Sequence, residues 1–529
     1  MTCLYFFVIS AYILTRFIIL GMKRLMKLSI TADYLWGSKA KVSYLLLASI
    51  LLLFTFLGGR EIWTQEHRWA DIVSGMFFRH DFLHPYLGNT NYYDKPLLSY
   101  WLMALFAKIN HGLTIWTLRL PSAFAGLLTI WSIYCLGEKI KDKSLGLLSG
   151  WLLLTTFYFV FWARTASADM LNLAGSLFAI AWYMNKRDTA GFIDYTIFFL
   201  ILALTSLCKG LVGLIVPLIA VFIDIVLQRS WKKHLRFSLF LAIIPAVIVY
   251  LIPFLASAYF GRQSYGENGL YLVYQENILR YFKPFDHQAP IYTYFIYLPV
   301  YLLPSVVLFI PALFSLKTRW NKMTLDSKWI VVTLAALFLF FTLSGSRRSY
   351  YVLPMVPFAI LLTADWILSD SIAFMKKRTW SLAIILVSFI VLFVGVDLLP
   401  EWYYSQFGVE RFANALKREA SKIKPWEQWN VVSLDAESKL NFYLQLSPLI
   451  IRYHIKGNDR QDSLTEAELM TAWPVLKTKS HDTIFISRQL YSPLLQHILM
   501  DYRVFKIQYP DIPFLKKTDV DTPVAYVPK

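Results

Sequence analysis

The chain is a succession of apolar runs joined by links, and the lysines and arginines gather in every second link. A helix crossing a bilayer needs roughly 20 apolar residues, because hydrocarbon offers backbone N–H and C=O groups no partner. Runs at 42–57, 119–138, 145–162, 170–184, 192–208, 211–227, 237–257, 291–315, 329–343, 351–368 and 380–399 approach that length. If each crosses, the basic clusters at Lys39 and Lys41, Lys139 to Lys143, Lys186 and Arg187, Arg229 to Arg236, Lys317 to Lys322 and Lys376 to Arg378 share one side. Basic links mark the cytoplasmic face, so the pattern predicts an α-helical polytopic membrane protein. The run at 97–109 is too short to cross, and crossing would break the alternation; it is expected to lie in the interface. Residues 3–21, within a cytoplasmic start at 1–41, form an optional extra span, giving about 11–13 spans in all.

Composition removes one class. The formal net charge of +18 would suit nucleic acid, but its carriers lie in short links rather than on one binding face. Cys3, Cys135 and Cys208 all sit in or beside apolar runs, so no disulfide framework is read. Beyond residue 400 the charge becomes ordinary. A helical pattern at 410–422 accompanies β-like runs at 431–434, 449–453, 483–486 and 504–508, which predicts a small soluble α/β domain over 401–529, outside the membrane.

The membrane domain, 42–400, carries its chemistry on the outer side. The link at 58–108 holds Arg60, Glu61, Glu66, His67, Arg68, Asp71, Arg79, His80, Asp81, His84, Asp94 and Lys95. Pro96 suits the first turn of a helix, which places Lys95 where a helix N-terminus attracts anions. That pattern fits a clamp for a lipid phosphate; it also fits a turn whose Asp94 and Lys95 face water. Arg164, Asp169, Lys209, Glu276, Arg280, His287, Arg347, Arg348 and Tyr351 fall at later outer links. Ionisable groups at membrane depth are functional candidates, although snorkelling anchors produce the same pattern singly.

Glu66-His67-Arg68-Trp69-Ala70-Asp71, followed by Tyr92-Tyr93-Asp94-Lys95-Pro96-Leu97-Leu98-Ser99-Tyr100-Trp101, resembles the first outer loop of the protein mannosyltransferase superfamily, nearest its bacterial aminoarabinose (lipid A) transferase branch. Arg119-Leu120-Pro121-Ser122-Ala123, Asp169-Met170, Lys209-Gly210 and Tyr351-Val352-Leu353-Pro354 resemble later landmarks, so the likeness covers roughly 40–400. It implies the C-type glycosyltransferase fold, a polyprenyl-phosphate sugar as donor, and transfer on the outer face of a bacterial inner membrane to a lipid A-like or other envelope glycolipid. By the same resemblance Lys95 and Arg68 hold the donor phosphate, Tyr92 and Tyr351 line its site, Glu66 and Asp169 are the catalytic carboxylates, and Asp94 and His287 stand where the branch can hold a divalent metal. The family opens this loop with Asp-Glu; here Gln65-Glu66 stands instead, so Glu66 is expected to take over the missing carboxylate's work. A protein O-mannosyltransferase-like enzyme and a lipid-linked sugar binding or flipping protein are the alternatives. Against flipping, no pair of broken helices is read in corresponding halves. A monomer is expected, with no nucleic acid partner.

Overall fold

A chain this apolar must satisfy its backbone polar groups within each segment, and the computed structural model is accordingly built mainly of helices. It describes residues 28–529 apart from 89, 261–264, 370–373, 437–438, 447–451, 454–464, 478–479 and 511–521. The optional span at 3–21 lies outside the described residues, as does most of the run at 449–453. The chain divides into two compact units, Met1–Leu57 with Tyr93–Leu398, and Gly58–Tyr92 with Leu399–Lys529. The link read as one outer loop is thus shared between them.

In the first unit, helices Ile115–Ile140, Ala168–Lys186 and Phe192–Lys209 pack side by side. Among the described residues, six helical runs are long and apolar enough to cross a membrane, or up to eight if each of two bent pairs is one span. Val42–Phe54 and Val212–Leu227 are apolar but shorter, and Leu98–Ile109 has only 12 residues.

Two runs read as single spans are broken. Lys143–Leu154 and Phe157–Ala163 meet at 74°, and Thr293–Tyr301 meets the following helix at 120°. At the first break the hydroxyls of Thr155 and Thr156 donate to the carbonyls of Trp151 and Leu152, each at 2.8 Å, and so satisfy the helix end. The Phe157 amide then donates to the Leu303 carbonyl in the second break, at 3.0 Å. Each break therefore supplies part of what the other leaves unsatisfied. No pair of broken helices in corresponding halves is read in the sequence; two broken helices are present among the described residues.

Two buried arginines serve backbone. Arg164 donates to the carbonyls of Leu52, Thr55 and Phe56 at 3.0, 2.9 and 3.0 Å. These belong to the C-terminal end of the Val42–Phe54 helix, where carbonyls lack helical partners and a cation is favoured. The same guanidinium pairs with buried Asp397 at 2.7 Å. Arg119, fully buried, donates to the Leu57 carbonyl at 2.9 Å.

The second unit carries a five-stranded sheet in the order β4-β3-β5-β7-β6. Its strands are β3 (Asn430–Leu434), β4 (Arg452–Tyr453), β5 (Thr483–Arg488), β6 (Tyr502–Phe505) and β7 (Pro523–Pro528), after a small hairpin of β1 (Tyr86–Leu87) and β2 (Thr90–Asn91). β3 runs parallel to β4 and β5, while β7 is antiparallel to β5 and β6. Trp473, Phe485, Leu495 and Tyr526 fill its core. The Thr64–Arg79 helix belongs to this unit, and Glu61 just before it is anchored there: its carboxylate accepts from the Val409 amide and lies 2.7 Å from Lys439 Nζ.

Candidate active site

At one end of the first unit, helix termini present charge. Ser167 caps the Ala168–Lys186 helix, accepting from the Asp169 amide at 3.3 Å, which leaves the Asp169 carboxylate in the first helical turn. Lys209 ends the Phe192–Lys209 helix, and its ammonium is hydrogen-bonded to Asp169. A carboxylate at a helix N-terminus and an ammonium at a C-terminus each suit the local dipole, so this pair is doubly placed. The rings of Tyr350 and Tyr351 lie 5.5 and 5.2 Å from the same ammonium.

Chain direction after Lys209 depends on Gly210, whose φ of 122° suits glycine alone. A Cβ there would meet Asn277 Oδ1 at 2.6 Å. That oxygen accepts from the Leu211 amide at 2.9 Å, pinning the π-turn Gln275–Leu279 against the end of the helix.

The π-turn delivers Glu276. Its carboxylate bonds Arg280 and lies 3.6 Å from Lys95 Nζ. Arg280 also pairs with Asp286 and donates to Ser346 Oγ at 3.3 Å. Lys95 donates to its neighbour Asp94's carbonyl at 2.9 Å, and its side chain is 23% exposed, enough for a ligand to reach. Burial holds its ammonium below the ordinary lysine range; Lys209 and Arg280 add to the depression, and Glu276 and Asp94 oppose it. Lys95, Lys209 and Arg280 are thus one electrostatic group.

The residues expected from sequence distribute unevenly. Lys95, Asp169 and Tyr351 fall in this group. His287 stands beside it, its Nε2 2.9 Å from Asp286, and burial followed by Arg348 lowers its pKa. Glu66, Arg68 and Tyr92 belong to the second unit. There Arg68 donates to the Tyr92 hydroxyl at 2.7 Å. Glu66, buried, accepts from the Trp63 amide at 2.8 Å and faces Arg60 at 3.4 Å, so it closes the start of its own helix. Arg347 is taken up by backbone, donating to the carbonyls of Ala289 and Thr342 at 2.6 and 3.1 Å.

Among the described residues no group of three or more His, Cys, Asp or Glu side chains is placed to hold an ion.

Residues 94–256 match the family model described as dolichyl-phosphate-mannose-protein mannosyltransferase. The undecaprenyl phosphate-alpha-4-amino-4-deoxy-L-arabinose arabinosyl transferase of Enterobacter sp. (strain 638) is 28% identical over 338 residues, 61% of this chain and 59% of that protein. The chain thus spans about three-fifths of that relative's length. The enzyme of the same name from Serratia proteamaculans is 26% identical over 71% of each chain. The crystal structure of ArnT from Cupriavidus metallidurans bound to undecaprenyl phosphate superposes with a TM-score of 0.66 at 14% identity, over 92% of this chain and 97% of that one. The Archaeoglobus fulgidus oligosaccharyltransferase gives 0.53 at 12% identity, over 89% and 73%.

The chain has the C-type glycosyltransferase fold. The resemblance read in the sequence is therefore found again by sequence and by structure. Three charged groups coupled to Lys95 carry no role by the sequence resemblance: Lys209, Glu276 and Arg280. The signals were present, a Glu-Arg pair four residues apart in a link between spans and a Lys-Gly at a helix end. Nothing local tied either to Lys95, which is distant in sequence.

Proposed function

We propose that the chain transfers a sugar from a polyprenyl-phosphate donor to a lipid A-like or other envelope glycolipid, on the extracytoplasmic face of a bacterial inner membrane. The observation that carries this is the convergence of Lys95, Lys209 and Arg280 with Asp169, Glu276, Tyr350 and Tyr351 at one end of the helical unit. Similarity to transferases named for undecaprenyl-phosphate aminoarabinose supports the donor class.

In this reading the donor's sugar C1–O bond to phosphate breaks as an acceptor oxygen bonds C1. The phosphate keeps the electron pair, and Lys95 steadies its growing charge. The acceptor's proton passes to a carboxylate. Lys209 orients Asp169 through their ion pair, which suits Asp169 to steady positive charge on the sugar ring or to accept that proton. Glu66 is proposed as the second carboxylate, with Arg68 and Tyr92 as donor contacts. The aminoarabinose sugar itself, a pentosyl group, is proposed from the relatives' names alone.

Purified protein incubated with labelled polyprenyl-phosphate sugar and envelope lipid is expected to move label into lipid. Label in protein would favour the O-mannosyltransferase reading, for which the family model over 94–256 speaks. Label remaining on the donor would refute transfer.

A further inference from the structure

The three cations Lys95, Lys209 and Arg280 are already paired within the protein. Lys209 has Asp169, Arg280 has Asp286 and Glu276, and Lys95 has Glu276. A phosphate that joins these three cations adds an anion beside their carboxylates or moves one of them. Which carboxylate yields is legible from the geometry. Glu276 bonds Arg280 directly, but stands 3.6 Å from Lys95 Nζ, outside hydrogen-bond range. Arg280 loses little by its departure, because Asp286 and Ser346 still hold the guanidinium. Asp169, by contrast, is the only carboxylate paired with Lys209 at hydrogen-bond distance among the described residues.

The backbone beneath Glu276 is prepared for a side-chain movement. It lies in a π-turn, a local widening of the helix that recurs at functional sites. The next residue, Asn277, is fixed at both ends of its amide, accepting from Leu211 N at 2.9 Å and donating to the Val273 carbonyl at 2.8 Å. Glu276 can therefore change rotamer while the turn stays anchored.

We infer that Glu276 is a displaceable counter-ion: a lipid phosphate takes its position between Lys95 and Arg280, and its return helps expel the spent lipid phosphate after transfer. The inference rests on the proposed phosphate site and adds an exchange of anions within it. Transfer converts a phosphodiester into a phosphomonoester, which carries more negative charge, so a carboxylate competing for the same cations works against product retention.

The test measures the dissociation constant of undecaprenyl phosphate for the full-length protein in nanodiscs, with Glu276→Gln, Glu276→Asp and Lys95→Ala beside wild type. Removing a competing partly buried charge is expected to tighten binding about three- to tenfold in Glu276→Gln, with product inhibition of transfer rising in step. Glu276→Asp, whose shorter arm reaches less far towards Lys95, is expected to fall between. Weaker or unchanged binding in Glu276→Gln, with Lys95→Ala still impaired, would overturn the counter-ion role alone. Unchanged binding in Lys95→Ala would overturn the phosphate site beneath it. Inorganic phosphate that competes as well as the lipid would assign the exchange to free phosphate and overturn the proposal for the lipid.

Discussion

Replacing Lys95 with alanine separates binding from folding unusually well at this site. In the protein its ammonium holds one carbonyl, that of Asp94, and faces Glu276 at 3.6 Å with 23% of the side chain exposed. A pair of that kind contributes about 0–1 kcal/mol to stability. Glu276 keeps its bond to Arg280 when Lys95 is gone, so no carboxylate is stranded. A bound phosphate would gain a charged hydrogen bond from the same ammonium in a partly desolvated setting, and losing such a partner costs about 2–4 kcal/mol. Lys95→Ala should therefore weaken undecaprenyl phosphate binding about 30- to 1,000-fold while the thermal midpoint stays near wild type. Lys95→Arg should restore only part, because a planar fork does not reproduce a compact ammonium. The assay is lipid titration followed by intrinsic fluorescence, with thermal unfolding on the same samples. Wild-type affinity in a folded Lys95→Ala protein would refute phosphate clamping.

Three further outcomes are expected. Because burial lowers the Lys95 pKa and a bound phosphate raises it, binding takes up a proton between those two values. Affinity should be full below the free value and decline as pH rises through it, and a pH titration of Lys95→Arg should lack that decline. Gly210→Ala forces a side chain onto φ 122° and against Asn277 Oδ1, so it should cost about 1–3 kcal/mol in unfolding experiments and slow transfer by shifting the Glu276 turn; unchanged rate and midpoint would remove Gly210 from the site's support. Glu66→Gln can still accept from the Trp63 amide, so folding should survive while initial rates drop about 10²- to 10⁴-fold; normal turnover would leave Asp169 as the working carboxylate.

Much of the helical unit was legible because hydrocarbon imposes one rule on every span. The apolar runs at 192–208 and 329–343 became Phe192–Lys209 and Leu325–Leu343, and 97–109 became a helix of 12 residues. The breaks near Thr155 and Pro304 were not legible, since the amide of one is satisfied by the carbonyl of the other, far along the chain. β3 and β5 followed their β-like runs, whereas β7 was missed: its short apolar stretch is bounded by Pro523 and Pro528, which read as breakers. Among the charged groups, residue type and spacing placed Lys95, Asp169 and Arg164 alike as candidates, and only the family resemblance set the first two apart. That arginine proved to be a helix terminator paired with Asp397. Partner identity, not residue type, decides between those roles, and partners here are set by tertiary packing.

The most direct test of the account is a density map of the full-length protein in nanodiscs with undecaprenyl phosphate bound. Phosphate density is expected within hydrogen-bond distance of Lys95 Nζ and the Arg280 guanidinium, with Glu276 turned away and Asp169 still paired with Lys209. Phosphate density away from Lys95, with the Lys95 and Glu276 side chains unmoved, would contradict it.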